Sequence, residues 1–220
     1  MLELFHGDLY PLHARLESVL PNLHLDTPEH KTMLDEYRLR ILYELAIAAS
    51  WLPGDVAEAG VWKGGVTYML ASIFTHGKTV HAFDSWEGLP GLTEEDCTDA
   101  PDRCDIGFYK GWGKCNPPIE YLGGFKNVVL HKGWFADTFP LVDVDEFCFV
   151  HIDCDLYQPI KECLEYFYPR LVPGGYMAID DYLEPEKWPG AVRAVDDYFN
   201  NHSCSYKFYR WGGIYLRKLS

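Results

Sequence analysis

The chain has 220 residues, of which 48% are apolar and 24% charged, a globular composition that excludes disordered, collagen-like and low-complexity classes. Nineteen Lys and Arg stand against 33 Asp and Glu, a formal charge of −14, so nucleic acid and anionic lipid would both be repelled. No apolar run approaches the ~20 residues of a membrane span, and Met1–Tyr10 lacks the basic and apolar regions of a signal peptide. These features predict a cytoplasmic protein with no nucleic-acid or membrane partner. They predict a single domain over 1–220, with a helical arm at 1–52 and a lid-like insertion at 86–118. The seven cysteines are odd in number and irregularly spaced, which predicts free thiols. Cys97, Cys104 and Cys115 fall in one loop-like stretch, but their intervals are too wide and irregular for a zinc site.

Taken in chain order, a short helix is expected near Leu12–Leu20. Thr27-Pro28-Glu29 has the form of a helix start, and Met33, Leu34, Tyr37, Ile41, Leu45 and Ala48 follow with helical spacing until Pro53-Gly54. Five strands are then expected at Asp55–Glu58, Thr79–Phe83, Val128–His131, Phe147–Ile152 and Tyr176–Ile179. Helices are expected at Val66–Phe74, Pro159–Arg170 and Ala191–Asn201, with a turn at Val172–Gly175. Two β segments, Tyr206–Arg210 and Gly213–Arg217, close the chain around Trp211-Gly212. Alternating strands and helices predict a mostly parallel sheet covered on both faces. The closing pair predicts an antiparallel hairpin at one edge. That α/β layout, a Rossmann-like seven-stranded sheet with a C-terminal hairpin, is the one used by class I methyltransferases. The insertion from Trp86 to Pro118 carries Trp86, Phe108, Tyr109 and Trp112, which favours a segment that closes over a ligand.

Three places carry residues suited to chemistry. Glu58-Ala59-Gly60-Val61-Trp62-Lys63-Gly64-Gly65 joins the first strand to its helix, and its glycines permit a tight turn and close approach of a ligand. Glu58 stands where a pyrophosphate-binding turn has its first glycine; a carboxylate there suits an ammonium or sulfonium, and so S-adenosylmethionine rather than NAD. Asp84-Ser85 ends the second strand, where an acid commonly accepts ribose hydroxyls. Asp153-Cys154-Asp155 and Asp180-Asp181 end two strands expected to be neighbours, so up to four carboxylates would crowd together. A hard cation with oxygen ligands, Mg²⁺ or Ca²⁺, would relieve them. Glu94-Glu95-Asp96 reads as loop charge, Asp196-Asp197 as a solvated face, and His151 as a satisfied core histidine.

Assembled in order, these stretches resemble the macrocin O-methyltransferase family of sugar O-methyltransferases in antibiotic biosynthesis. The resemblance rests on Glu58–Gly65, Phe83–Pro90, Gly133–Pro140, His151–Tyr157, Tyr168–Tyr176, Ile179–Tyr182 and Ala191–Asp197. It implies that Glu58, Gly60, Gly64, Gly65 and Thr67 surround the methionine part of S-adenosylmethionine. It places Asp84 and Ser85 at the ribose, and Gly133 and Trp134 near the adenine. Asp153, Asp180 and Asp181 match the family's Mg²⁺ ligands and Asp155 its general base, while Tyr37 and Arg38 match the region preceding the cofactor site. Cys154 replaces the usual glycine, Pro159 stands where Ser or Thr is typical, and the insertion is shorter and contains cysteine. The resemblance implies an enzyme, a Mg²⁺-dependent O-methyltransferase acting on a vicinal diol of a sugar-containing small molecule. A homo-oligomer is compatible with it. The alternatives are a catechol-type O-methyltransferase, a nicotinamide oxidoreductase, which Glu58 and the hairpin disfavour, and a non-catalytic nucleoside- or metal-binding module.

Overall fold

Phe147–Ile152 is buried at every position, and Val56–Ala59 and Val80–Phe83 are buried as well. Strands buried on both sides require helices on both faces of their sheet. The computed structural model of the chain describes residues 16–23, 31–75, 77–97, 110–210 and 213–220. Its strands are β1 (Asp55–Ala59), β2 (Val80–Asp84), β3 (Val128–Lys132), β4 (Phe147–Ile152), β5 (Leu171–Ile179), β6 (Tyr206–Arg210) and β7 (Ile214–Lys218). They form one seven-stranded sheet in the order β3-β2-β1-β4-β5-β7-β6. Pairing is parallel from β3 to β5, and β7 runs antiparallel to β5 and β6. The sheet and its closing hairpin are as the sequence predicts; Trp211 and Gly212 lie outside the described residues.

Helices α1 (Glu36–Ala49) and α2 (Gly65–Ile73) cover one face, against Val56, Val80, Phe149 and Ala178. Helices α3 (Tyr157–Arg170) and α4 (Pro189–Asn201) cover the other, against Ala57, Phe83, Val150 and Met177. Adjacent strand residues such as Val56 and Ala57 thus serve opposite layers, as the two-residue period of a strand demands. Among the described residues, no helix is long and apolar enough to cross a membrane.

Two local features differ from expectation. The helix start at Thr27-Pro28-Glu29 lies outside the described residues, and α1 begins at Glu36 after the N-cap Asp35, whose Oδ1 accepts a bond from the Arg38 amide at 2.8 Å. Met33 and Leu34 therefore precede the helix, and its buried face is Leu39, Leu42, Tyr43, Leu45, Ala46 and Ala49, which keeps the expected Leu45, while Tyr37 is 66% exposed. The run Leu39–Ala49 is apolar on more than one stripe, so spacing alone does not set its phase. Val172–Gly175 is part of β5: Phe147 pairs with Leu171 but Phe149 with Tyr176, so Pro173-Gly174 bulges from the ladder. A bulge tolerates a residue without an amide hydrogen.

The insertion doubles back on itself beside the sheet. The Leu89 amide donates to Trp112 O at 2.9 Å and the Gly111 amide to Leu89 O at 3.0 Å. Trp86 is only 2% exposed and donates its indole N–H to Trp62 O at 2.9 Å, so it belongs to the packed core and not to a closing surface. Phe108, Tyr109 and Cys104 lie outside the described residues. Asp96 corrects the loop-charge reading. It is buried, its Oδ1 accepts from the Tyr157 amide at 2.7 Å, and its Oδ2 accepts from the Thr93 amide and hydroxyl at 2.8 and 2.9 Å. Helix α3 has no side-chain cap of its own, so a carboxylate from the insertion supplies it. Gly190 in α4 leaves the room, since a Cβ there would fall 1.8 Å from Asp96 Oδ1. Cys97 is disulfide-bonded, against the free-thiol expectation. Cys115, Cys148, Cys154, Cys163 and Cys204 are free.

Two expectations follow. Asp96→Ala should lower stability by about 0.5–2 kcal/mol, the usual worth of a cap, and a urea unfolding curve superimposable on wild type would refute the capping role. The second concerns the chain Asp55–His81–His131. His81 Nε2 lies 3.3 Å from Asp55 Oδ2, and His81 Nδ1 lies 2.9 Å from His131 Nε2. With Asp55 accepting, one proton lies between the two rings and both are neutral. Burial lowers both pKa values, and His131, facing His81 as well, is brought down to about 4. The unfolded chain takes up these protons near pH ~6.5, and the folded chain resists until lower pH, so stability falls as pH drops through that window. His131→Gln should flatten this dependence between pH 7 and 4.5. Equal slopes for the two proteins would refute the assignment.

Candidate active site

The sheet order reverses between β1 and β4, and in open parallel sheets ligands bind at the carboxyl ends of the strands at such a point. The chain makes the two strand ends meet. The Asp153 amide donates to Ala59 O at 2.9 Å, and a Cβ on Gly60 would fall 1.8 Å from Asp153 O. Gly60 has φ of 88°, so both the space and the backbone require glycine. A cavity of about 440 Å³ opens over this edge, within the usual range for small-molecule sites.

Asp153, Asp180 and Asp181 converge on it, each offering a carboxylate oxygen within 4.8 Å of the other two. Asp180 Oδ2 accepts from Arg38 Nη1 at 2.8 Å, while its Oδ1 is buried without a hydrogen-bond partner. Burial pushes Asp153 well above the usual carboxylate range, and the neighbouring Asp180, Asp181 and Asp155 push it further. Burial does the same to Asp181, reinforced by Asp155 and Asp180. Asp180 is also raised by burial, against the opposing pull of Arg38. Crowded carboxylates with an orphaned oxygen fit a hard divalent cation, which would satisfy that oxygen and reverse the mutual repulsion. The fourth acid stands beside the trio. Asp155 has φ of 63°, its amide donates to Asp181 Oδ2 at 3.2 Å, and burial followed by Asp180 raises its pKa to about 7.

The residues expected around a nucleoside separate into two sets. Gly60, Asp84, Ser85, Gly133 and Trp134 line the cavity. Asp84 Oδ2 accepts from the Val61 and Trp62 amides at 2.9 and 2.8 Å, and Oδ1 from the Trp86 amide at 2.6 Å. The acid thus first shapes the glycine turn. Trp62 and Trp86 both have positive φ, 49° and 53°, a cost of about 1–3 kcal/mol each that the Asp84 bonds offset. Glu58, Gly64, Gly65 and Thr67 do not line the cavity. Glu58 is 2% exposed, accepts a short bond from Thr67 Oγ1, and lies opposite His151 in the β1–β4 register. His151 is fully buried, and neither ring nitrogen has a hydrogen-bond partner; Nδ1 lies 3.4 Å from Glu58 Oε1, beyond a good bond but close enough for an ion pair. It is therefore not a satisfied core histidine. Gly64 packs against Pro118 and Leu122, and the Gly65 amide donates to Lys31 O at 2.9 Å.

Glu184, Lys187 and Trp188 line the cavity without a signal in the sequence; Met33, expected in a helix, and Trp112, expected in a segment that closes over a ligand, line it too. Trp112 and Trp188 form an aromatic wall with ring centroids 6.4 Å apart, joining the insertion to the segment before α4. They come from unconnected loops, and no spacing rule links such residues. Cys154 donates to Ala59 O at 3.1 Å from its buried position between the two acids.

The family model described as macrocin-O-methyltransferase matches residues 14–218. A 148-residue stretch is 34% identical to the 8-demethyl-8-(2,3-dimethoxy-alpha-L-rhamnosyl)-tetracenomycin-C 4'-O-methyltransferase of Streptomyces olivaceus, covering 62% of this chain and 56% of that one. A 167-residue stretch is 30% identical to the mycinamicin III 3''-O-methyltransferase of Micromonospora griseorubida, covering 69% and 65%. The solved structure of the O-methyltransferase NovP superposes with a TM-score of 0.75 at 26% identity, over 87% of this chain and 84% of that one. The chain spans between about half and two thirds of the length of the curated relatives it matches. Fold, the ordered stretches and the family match agree: the chain belongs to the macrocin-O-methyltransferase family.

Proposed function

We propose that the protein is an S-adenosylmethionine- and Mg²⁺-dependent O-methyltransferase acting on one hydroxyl of a vicinal diol in a sugar-bearing small molecule. The observation that carries this reading is the convergence of Asp153, Asp180 and Asp181 at a cavity that also takes in Gly60, Asp84, Gly133 and Trp134. The names of the relatives, O-methyltransferases of a rhamnosyl-bearing tetracenomycin C and of mycinamicin III, support the choice of acceptor class.

In this reading Asp153, Asp180 and Asp181 hold the metal. Gly60 meets the methionine portion of the cofactor while Glu58, Gly64, Gly65 and Thr67, behind the cavity wall, set the turn that carries it; Asp84 and Ser85 take the ribose, and Gly133 with Trp134 face the adenine. When bound, the cofactor supplies an activated methyl group and the cation acidifies a coordinated hydroxyl. The protein supplies the rest. Asp155 accepts the hydroxyl proton on its carboxylate, and burial keeps its affinity for that proton high. Glu58 lies behind the glycine turn, held by Thr67; burial raises its carboxyl above the usual range, and an ammonium group brought near would favour its charged form. Trp112 and Trp188 give the acceptor an apolar wall and help to exclude water. Holding acceptor oxygen and methyl donor in line is the main catalytic gain in a displacement of this kind.

Two outcomes are expected. S-adenosylhomocysteine at about 100 times its Kd should raise Tm by roughly 5–10 °C, and Mg²⁺ should add a further increment. Asp153→Asn and Asp181→Asn should keep the first shift and lose the second; full activity of wild type in EDTA would sink the metal assignment. Asp155→Asn, assayed on glycosides bearing vicinal diols, should lower kcat by about 10²–10⁴-fold while leaving both thermal shifts in place. An unchanged kcat would remove Asp155 from the role of base.

A further inference from the structure

Arg38 comes from the first turn of α1, outside the strand ends that build the rest of the metal site. Its guanidinium meets a carboxylate at each of its three nitrogen positions. Nε lies 3.9 Å from Asp35 Oδ2, Nη1 2.8 Å from Asp180 Oδ2, and Nη2 2.9 Å from Glu184 Oε1. Asp35 also caps the helix by accepting the Arg38 amide at 2.8 Å, so backbone and side chain are fixed from the same residue. Asp180 is 5% exposed, and the oxygen that Arg38 does not touch is the buried one without a partner.

We propose that Arg38 is a positioning residue for the divalent cation: by occupying Asp180 Oδ2 it fixes that carboxylate so that Oδ1 faces Asp153 and Asp181. The inference rests on the metal reading above. Two effects of opposite sign bear on it. A positive charge beside the site opposes a second cation. A carboxylate already held in one orientation loses less freedom when it binds one, and partners of this kind are typically worth about 10–100-fold in metal affinity. The second effect dominates here, because Asp35 and Glu184 flank the guanidinium and offset its charge, while among the described residues no other hydrogen bond restrains the Asp180 side chain. Lysine cannot replace arginine in this role, since one ammonium does not span Asp180 and Glu184 as the planar fork does.

Binding of Mn²⁺, followed by electron paramagnetic resonance on the full chain, separates the two effects. Wild type, Arg38→Gln, Arg38→Lys and Glu184→Gln would be titrated with Mn²⁺, and S-adenosylhomocysteine affinity measured on the same samples. Arg38→Gln and Arg38→Lys should each weaken Mn²⁺ about 10–100-fold, and Glu184→Gln by less, with nucleoside affinity unchanged throughout. Arg38→Gln binding Mn²⁺ as tightly as wild type or tighter, or Arg38→Lys binding it normally, overturns the proposal and leaves Arg38 a simple counter-charge. Should Arg38→Gln fail to fold, Arg38→Lys and Glu184→Gln decide the question. A wild type that binds the nucleoside but no Mn²⁺ overturns the metal reading and this proposal with it, and leaves the methyl-transfer reading standing.

Discussion

Carboxylates with oxygens held within 4.8 Å of one another in a buried place repel, and that repulsion is the constraint around which the rest of this protein is organised. It is sustained because the acids stand on the ends of two central strands whose backbone bonds continue past the ladder, Asp153 to Ala59 and Asp180 to Ile152. A helix terminus or a free loop would relax and let them separate. The sheet does not yield, so the strain persists as raised proton affinity and as an oxygen without a partner. Both support the proposal that a cation binds there.

The other half of the cavity is organised by a single acid used structurally. Asp84 takes three backbone amides, from Val61, Trp62 and Trp86, and so pins the glycine turn to the end of β2. Two tryptophans in left-handed backbone are held there at a cost that a flexible turn would not bear. Asp96 performs the same service at a distance, tying the insertion to the start of α3 and the first turn of α4. The cavity wall is therefore continuous with the rigid sheet through the carboxylates of Asp84 and Asp96.

Much of this is legible in the chain. The apolar runs at Val80–Phe83 and Phe147–Ile152, the glycines after β1 and the acids after β4 and β5 foretell a parallel sheet with a polar edge. The phase of α1 is less legible because Leu39–Ala49 is apolar on several sides, and the start of β5 is masked by Pro173-Gly174, residues that usually mark a turn. Asp96 resembles loop charge, since nothing near it in sequence reveals the Tyr157 amide 61 positions away. His151 reads as an ordinary core residue, yet its ring faces Glu58 with neither nitrogen properly bonded.

What the sequence determines by itself is whatever depends on neighbours along the chain: strand and helix periodicity, the tight turn at Gly60, and the family to which the ordered stretches belong. Those features rest on local backbone preferences and on spacing, which survive without knowledge of the fold. Only the tertiary structure decides which of the four acids converge and which stands apart, that Glu58 and Thr67 lie behind the cavity wall, and that Arg38 reaches Asp180 across 142 positions. Each of these depends on distances between segments remote in sequence, and those distances are set by sheet order and helix packing, not by any local pattern.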